Sequence, residues 1–277
     1  MTLKLWQVDA FAGKVFEGNP AGVVPLEAWI ADDLMQKIAG ENNLADTAFF
    51  VKTASGRYDL RWFTPTKEVP LCGHATLASA FVIFKTLDPS LQEVRFQTSS
   101  GELTVQRGVP HNRLALPASR CTAFAAPAGF SDALAESLEG SAPAELHFCA
   151  KGGAGGGSLL AVWPSPAHVA ALKPNGALEK ILLSINAGSL LATAAGGGAP
   201  YDFVSRFFAP YWGIAEDPVT GSAHCVLAPF WANRLGKKKL HARQISARGG
   251  DLVCTDAGAQ VLLEGDCAVY LTGEIEV

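Results

Sequence analysis

The sequence predicts an α+β protein of two similar halves, each a sheet wrapped around one apolar helix, and three observations carry this. The stretch Glu68-Val69-Pro70-Leu71-Cys72-Gly73-His74-Ala75 returns as Glu216-Asp217-Pro218-Val219-Thr220-Gly221-Ser222-Ala223 with the same spacing. Each copy follows a strand-like run and turn, Arg61-Trp62-Phe63-Thr64-Pro65 and Arg206-Phe207-Phe208-Ala209-Pro210. The second copy is longer by about three residues between Arg and Gly, an insertion of the kind loops tolerate. Each copy also precedes a segment that is apolar nearly all round, residues 75–84 and 223–231, which reads as a buried helix. Such a helix needs walls on every face, and the strand-rich sequence around it supplies them.

Taken in order, residues 3–11 read as a first strand, Asn19-Pro20-Ala21-Gly22 as a turn, and residues 31–39 as an amphipathic helix with Leu34, Met35 and Ile38 inward. Residues 48–51 and 58–63 are strands. The first buried helix follows, then a hairpin through 93–97 and 102–106 and a strand at 113–116. The Pro- and Ala-rich stretch 117–129 reads as a connection. The expected division is therefore an N-terminal domain of residues 1–118, to which the C-terminal strand 268–277 could return, and a C-terminal domain of residues 119–277. In the second half a helix at 131–138 and strands at 159–163, 190–194 and 201–208 lead to the second buried helix. Strands at 244–246, 252–254, 260–263 and 268–271 close the chain.

Composition narrows the function. Apolar residues make up 49% of the 277 and charged residues 17%, so much of the chain is core and self-association is open to it. A net charge of −4 gives no nucleic-acid footprint, and Lys237-Lys238-Lys239 reads as a solvated helix end. Cys72, Cys121, Cys149, Cys225, Cys254 and Cys267 form no C-x-x-C pair, and residues 1–9 lack a signal-peptide core, which points to a reducing cytoplasm. No apolar run is long enough for a membrane span, and the histidines show no metal-ligand spacing with cysteine or carboxylate, so neither a membrane nor a metal is expected.

Gly73 and Gly221 open the two helices, where free backbone N–H groups and the positive helix end favour an anion such as a carboxylate. Asp46, Cys72, His74 and Asp217 supply acids and bases near those openings. Proton-transferring groups flanking a twofold-repeated motif, with no cofactor motif, suit removal of a proton from one carbon and its return to another. Each residue has a plainer reading: Asp46 as a turn or cap, His74 as a cap, Cys72 as buried filler and Asp217 as partner of a helix end. The glycine runs 152–157 and 196–198 match neither G-x-G-x-x-G nor a Walker loop and read as loops, while Ser222 lies outside a G-x-S-x-G elbow.

Five separated stretches in order carry a resemblance: Asn43-Leu44-Ala45-Asp46-Thr47-Ala48-Phe49, Phe63-Thr64-Pro65, Glu68–Ala75, Glu216–Ala223 and Gln244-Ile245-Ser246-Ala247-Arg248-Gly249-Gly250. Together they resemble the phenazine-biosynthesis PhzF-like family and, more distantly, diaminopimelate epimerase. The resemblance implies two domains, each a curled, mainly antiparallel sheet or barrel around a central helix, related by a pseudo-twofold axis. It further implies a cofactor-independent isomerase acting on a small carboxylate-bearing metabolite, usually as a homodimer. Carried over by position, Asp46 falls on the acid/base glutamate, one methylene shorter. Gly73, His74, Asp217, Gly221 and Ser222 fall on residues that line the substrate site. Cys72 and Thr220 fall where cofactor-independent epimerases keep two cysteines, so the thiol pair is absent. A racemase or epimerase assisted by Cys72, and a silent dimeric binding module, are the alternatives.

Overall fold

Each copy of the repeated motif starts a helix, and strands of the same unit enclose that helix. The computed structural model describes residues 1–150, 157–198 and 200–277. Two units are formed, one from Met1–Leu116 with Leu262–Val277 and the other from Pro117–Val261.

In the first unit β1 (Thr2–Ala10) runs antiparallel to β2 (Asn19–Leu26), so residues 19–22 are strand and not the expected turn. Gly18 makes the turn instead: its φ is +65°, and a Cβ there would meet the Ala10 carbonyl oxygen at 2.1 Å. Asn19 and Pro20 are thereby free to pair with Ala10 and Asp9. The first helix, α1 (Asp32–Asn42), buries Met35, Ile38 and Ala39 and ends on Asn43 in the left-handed region. β3 (Asp46–Ala54) then lies parallel to β2 with Asp46 opposite Ala21, and β4 (Arg57–Phe63) returns antiparallel to β3. The short β5 (Glu68–Val69) leads into α2 (Gly73–Val82), which a single π-helical turn, Ile83–Leu87, extends. β6 (Glu93–Thr98) pairs parallel with β4, followed by the antiparallel β7 (Gly101–Gln106) and β8 (Asn112–Pro117).

Every residue of α2 from Gly73 to Ala80 is buried, and the helix packs against β1, β2 and β3. The strand Cys267–Glu276 comes back from the far end of the chain to pair with β1, from Thr2 opposite Glu276 to Ala10 opposite Cys267.

The second unit begins with β9 (Thr122–Ala123), α3 (Phe130–Ser137), β10 (Glu145–Cys149) and β11 (Ser158–Val162). After two short helices, α4 (Pro166–Ala171) and α5 (Leu178–Leu183), β12 (Ser189–Gly198) lies parallel to β11. β13 (Tyr201–Ala209) and β14 (Ile214–Asp217) follow antiparallel, then α6 (Gly221–Leu235). β15 (Lys239–Gln244) is parallel to β13, and β16 (Gly250–Asp256) is antiparallel to β15. α6 packs against β13, β15 and β16 and buries residues on all its faces, among them Ala223, Cys225, Leu227 and Trp231. The remaining strand, Gln260–Gly265, pairs with β8.

The two units repeat one pairing order: a parallel pair, an antiparallel return, a two- to four-residue strand, the buried helix, then a parallel strand and its antiparallel partner. The repeat reaches side chains. Arg61 grips Glu68 through Nε and Nη2, both at 2.8 Å, and Arg206 grips Glu216 in the same fork at 2.7 and 2.8 Å. Each guanidinium also covers a phenylalanine two residues on, Phe63 at 5.2 Å and Phe208 at 4.8 Å.

Two expectations are corrected. Residues 196–198, read as loop, end β12, where Gly198 pairs with Tyr201 of β13. A Cβ at Gly196 would meet the Tyr201 carbonyl oxygen at 2.0 Å, so glycine serves close backbone approach there. The other run, 152–157, lies outside the described residues except for Gly157. Cys121 and Cys149, read as separate thiols, form a disulfide where the short β9 runs beside β10. A cross-strand neighbour 28 positions away leaves no spacing pattern in the sequence.

Candidate active site

Asp46 is the first residue of β3, and pairing with β2 fixes its backbone. Cys72 and His74 straddle the start of α2. Cys72 is the extended residue before the helix, its carbonyl accepting from Thr76 Oγ1 at 2.5 Å. These elements bring three side chains together. Cys72 Sγ lies 3.3 Å from Asp46 Oδ2 and 3.4 Å from His74 Nδ1, and His74 Nε2 lies 3.7 Å from Asp46 Oδ2. All three residues are buried, with relative exposures of 9% for Asp46, 6% for Cys72 and 4% for His74. The expectation of no metal-ligand grouping is thus corrected: one thiol, one imidazole and one carboxylate converge within 4.8 Å. The reason is topological, since Asp46 arrives on a strand 26 residues upstream of Cys72.

Burial pushes the His74 imidazole down to about 3, so the ring is neutral at physiological pH. Asn19 faces it, with Nδ2 at 3.3 Å from Nδ1. With the amide donating to Nδ1, the ring proton sits on Nε2, the nitrogen turned toward Asp46. Asn19 was missed by sequence reasoning because Asn-Pro-Ala-Gly has the composition of a turn; the β-branched pair Val23-Val24 directly after it was the available strand signal.

The corresponding place in the second unit is built differently. Thr220 is the extended residue before α6, and its hydroxyl donates to Asp217 Oδ2. Fully buried Gln244 ties this corner together. Its Nε2 donates to the Asp217 carbonyl at 2.7 Å and to Thr220 Oγ1 at 3.1 Å, while its Oε1 accepts from the Thr220 backbone N–H at 2.9 Å. Ser246 Oγ donates to the Pro218 carbonyl at 2.7 Å and accepts from Gly249 N–H at 3.1 Å. Gln244 had only a motif position in the sequence and no assigned role; its three bonds show it as the brace of the loop that delivers Asp217, Thr220, Gly221 and Ser222.

Gly73 and Gly221 are each the first helical residue, with Gly73 and Gly221 buried and Ser222 half-buried. The backbone N–H groups at both helix starts carry the partial positive charge that favours an anion. His224, one turn into α6, is a core residue: its Nδ1 donates to the Thr220 carbonyl at 2.8 Å and burial pushes it down to about 4.

Comparison with known proteins agrees with this construction. A family model described as phenazine biosynthesis-like protein matches residues 8–274. A Pseudomonas aeruginosa protein described as an uncharacterized isomerase is 44% identical over 277 residues, with the whole of both chains covered. The crystal structure of a PhzF-family phenazine biosynthesis protein from Enterococcus faecalis has a TM-score of 0.89 at 36% identity, again over the whole of both chains. A hydroxyproline epimerase from Agrobacterium vitis, at a TM-score of 0.60 and 11% identity over 99% of this chain and 92% of that one, shares the fold alone. With the duplicated helix-in-sheet units, the repeated Arg–Glu fork and a match over nearly every residue, the chain belongs to the PhzC–PhzF family of phenazine biosynthesis-like proteins.

Proposed function

We propose that the protein is an isomerase that moves a proton between carbons of a small carboxylate-bearing metabolite, using side chains alone and with Asp46 as the group that takes the proton and gives it back. The observation that carries this is the buried convergence of Asp46, Cys72 and His74. A carboxylate held at a fixed strand end beside a neutral imidazole N–H and a thiol has what carbon-acid chemistry needs: a base, and a donor that orients it without cancelling its charge. Asp46 accepts the proton from one carbon, the electron pair left behind spreads into the adjacent unsaturated or carboxylate system, and the protonated Asp46 returns the same proton to another carbon.

Each helix start, at Gly73 in one unit and at Thr220-Gly221-Ser222 in the other, is suited to binding a carboxylate. Asp217 is held in place by the Thr220 hydroxyl. We place the enzyme in the cytoplasm as a homodimer; sedimentation tests the second statement, and counting free thiols on protein isolated under alkylating conditions tests the first against the Cys121–Cys149 bond.

The experiment is solvent-deuterium incorporation into candidate carboxylates. Asp46→Asn should keep the fold and slow exchange by about 100- to 10,000-fold. The Cys72 Sγ to Asp46 distance of 3.3 Å also favours a second reading, a Cys72-assisted epimerase. If Asp46→Asn exchanges at the parent rate while Cys72→Ala does not exchange, the epimerase reading replaces the first.

A further inference from the structure

We propose that Asp46, Cys72 and His74 also form a capture site for a borderline-soft divalent cation of the zinc class, and that occupancy withdraws Asp46 from proton transfer. The inhibitory half rests on the isomerase reading above; the binding half does not.

The donor set is the first argument. One thiol sulfur, one imidazole nitrogen and one carboxylate oxygen is a ligand combination zinc accepts, whereas magnesium and calcium prefer oxygen alone. Separation is the second. Around a tetrahedral zinc, bonds of about 2.0–2.3 Å put neighbouring donors about 3.3–3.6 Å apart. Here Sγ to Oδ2 is 3.3 Å, Sγ to Nδ1 is 3.4 Å and Nε2 to Oδ2 is 3.7 Å, with Sγ to Nε2 at 3.9 Å. Nε2, with both of its separations slightly long, needs shifts of only a few tenths of an ångström to share an ion with Sγ and Oδ2.

Rigidity is the third argument. β3 pairing fixes the Asp46 backbone, the first turn of α2 fixes Cys72 and His74, and the burial of all three slows competition by water. The balance of the step is simple. The cation gains a bond to each of three donors, the Cys72 thiol releases its proton to solvent, and the two anionic ligands neutralise the two positive charges. Three protein ligands leave the fourth position to water or to a substrate carboxylate.

The test uses the whole chain, stripped by chelator, and cobalt(II) as the spectroscopic probe. Titration should saturate at one ion per chain, with a near-ultraviolet thiolate-to-cobalt band that zinc bleaches. Cys72→Ser should lose that band and weaken zinc binding by at least about tenfold. Should that variant not fold, the unaltered chain gives an independent reading: zinc should slow alkylation of Cys72, followed by peptide mass spectrometry, by at least about tenfold. No saturable uptake, a band unchanged in folded Cys72→Ser, or Cys72 alkylated equally fast with zinc overturns the site. Zinc should also suppress deuterium exchange, with recovery on adding chelator. Cobalt uptake with the expected band upholds the site even where no exchange is found. Exchange without any cobalt uptake overturns it while leaving the isomerase reading intact.

Discussion

His74 and His224 are both enclosed, and both pay for it in pH dependence. Burial holds them at about 3 and about 4, against 6.5 for an exposed imidazole. Both stay neutral in the fold, so below 6.5 the unfolded chain binds protons that the folded chain refuses. Their contribution is complete above 6.5 and is lost as pH falls from there toward the folded values. The expected slope in that window is about 1.4 kcal/mol per pH unit for each histidine. Urea midpoints between pH 7 and 4.5 should fall accordingly, and His224→Gln, if folded, should flatten the slope by one histidine's share; an unchanged slope would show that His224 is not excluded from water. At Asp46 the chain is one methylene shorter than a glutamate. If the site is built around that length, Asp46→Glu moves the carboxylate by about 1 Å and costs on the order of 100-fold in exchange rate. A faster Asp46→Glu enzyme would count against that fit.

The repeated Arg–Glu fork sets a prediction for elements. Arg206 is the more enclosed copy and also donates to the Leu172 carbonyl at 2.6 Å and the Val169 carbonyl at 3.2 Å, anchoring the end of α4 to β13. Arg61 is more exposed, and its hydrogen bonds among the described residues go to side chains, those of Glu68 and Asp32. Arg206→Met should therefore cost about 2–4 kcal/mol by denaturant unfolding, through stranded carboxylate and carbonyl groups, and Arg61→Met about 1 kcal/mol. Equal losses would refute the ranking. The repeated Arg and Glu of this fork were legible in the sequence, 7 positions apart in one copy and 10 in the other, though their pairing was not; both buried helices were legible too, because an apolar surface on every face has one structural outcome. What stayed hidden was set by partners distant in sequence. Asn19 looked like turn until Gly18 took the turn, the start of β15 was hidden because Lys237-Lys238-Lys239 read as a solvated helix end although Leu240 and Ala242 alternate inward, and Gln244 becomes a brace only once β15 lies beside the start of α6. The Asp46–Cys72–His74 cluster was legible as three candidates and not as one group, since no spacing links a strand residue to a later helix cap.

At the scale of the whole molecule, the unit Pro117–Val261 has its own core, with Leu134, Leu159, Trp163, Leu190 and Phe208 packed together. A fragment of residues 117–261 should melt cooperatively by itself. Removing residues 266–277 should instead loosen the other unit, since β1 loses its pairing from Thr2 to Ala10. Hydrogen exchange should then show the amides of Thr2–Leu5, the part of β1 that lies beyond its pairing with β2, unprotected and β12 and β13 amides unchanged; protected Thr2–Leu5 amides would refute this.

No helix among the described residues is long and apolar enough to cross a membrane. The return of Cys267–Glu276 to β1 also orders events at the ribosome. The unit that begins second is complete first. The unit begun at Met1 must wait for Cys267–Glu276 to be made, and at about 5–20 residues per second that delay is on the order of ten to thirty seconds. Through that interval the nascent chain offers the open edge of β1 to any strand that reaches it. A stalled or truncated message would therefore release a product with one finished half and one adhesive half, a natural substrate for chaperones.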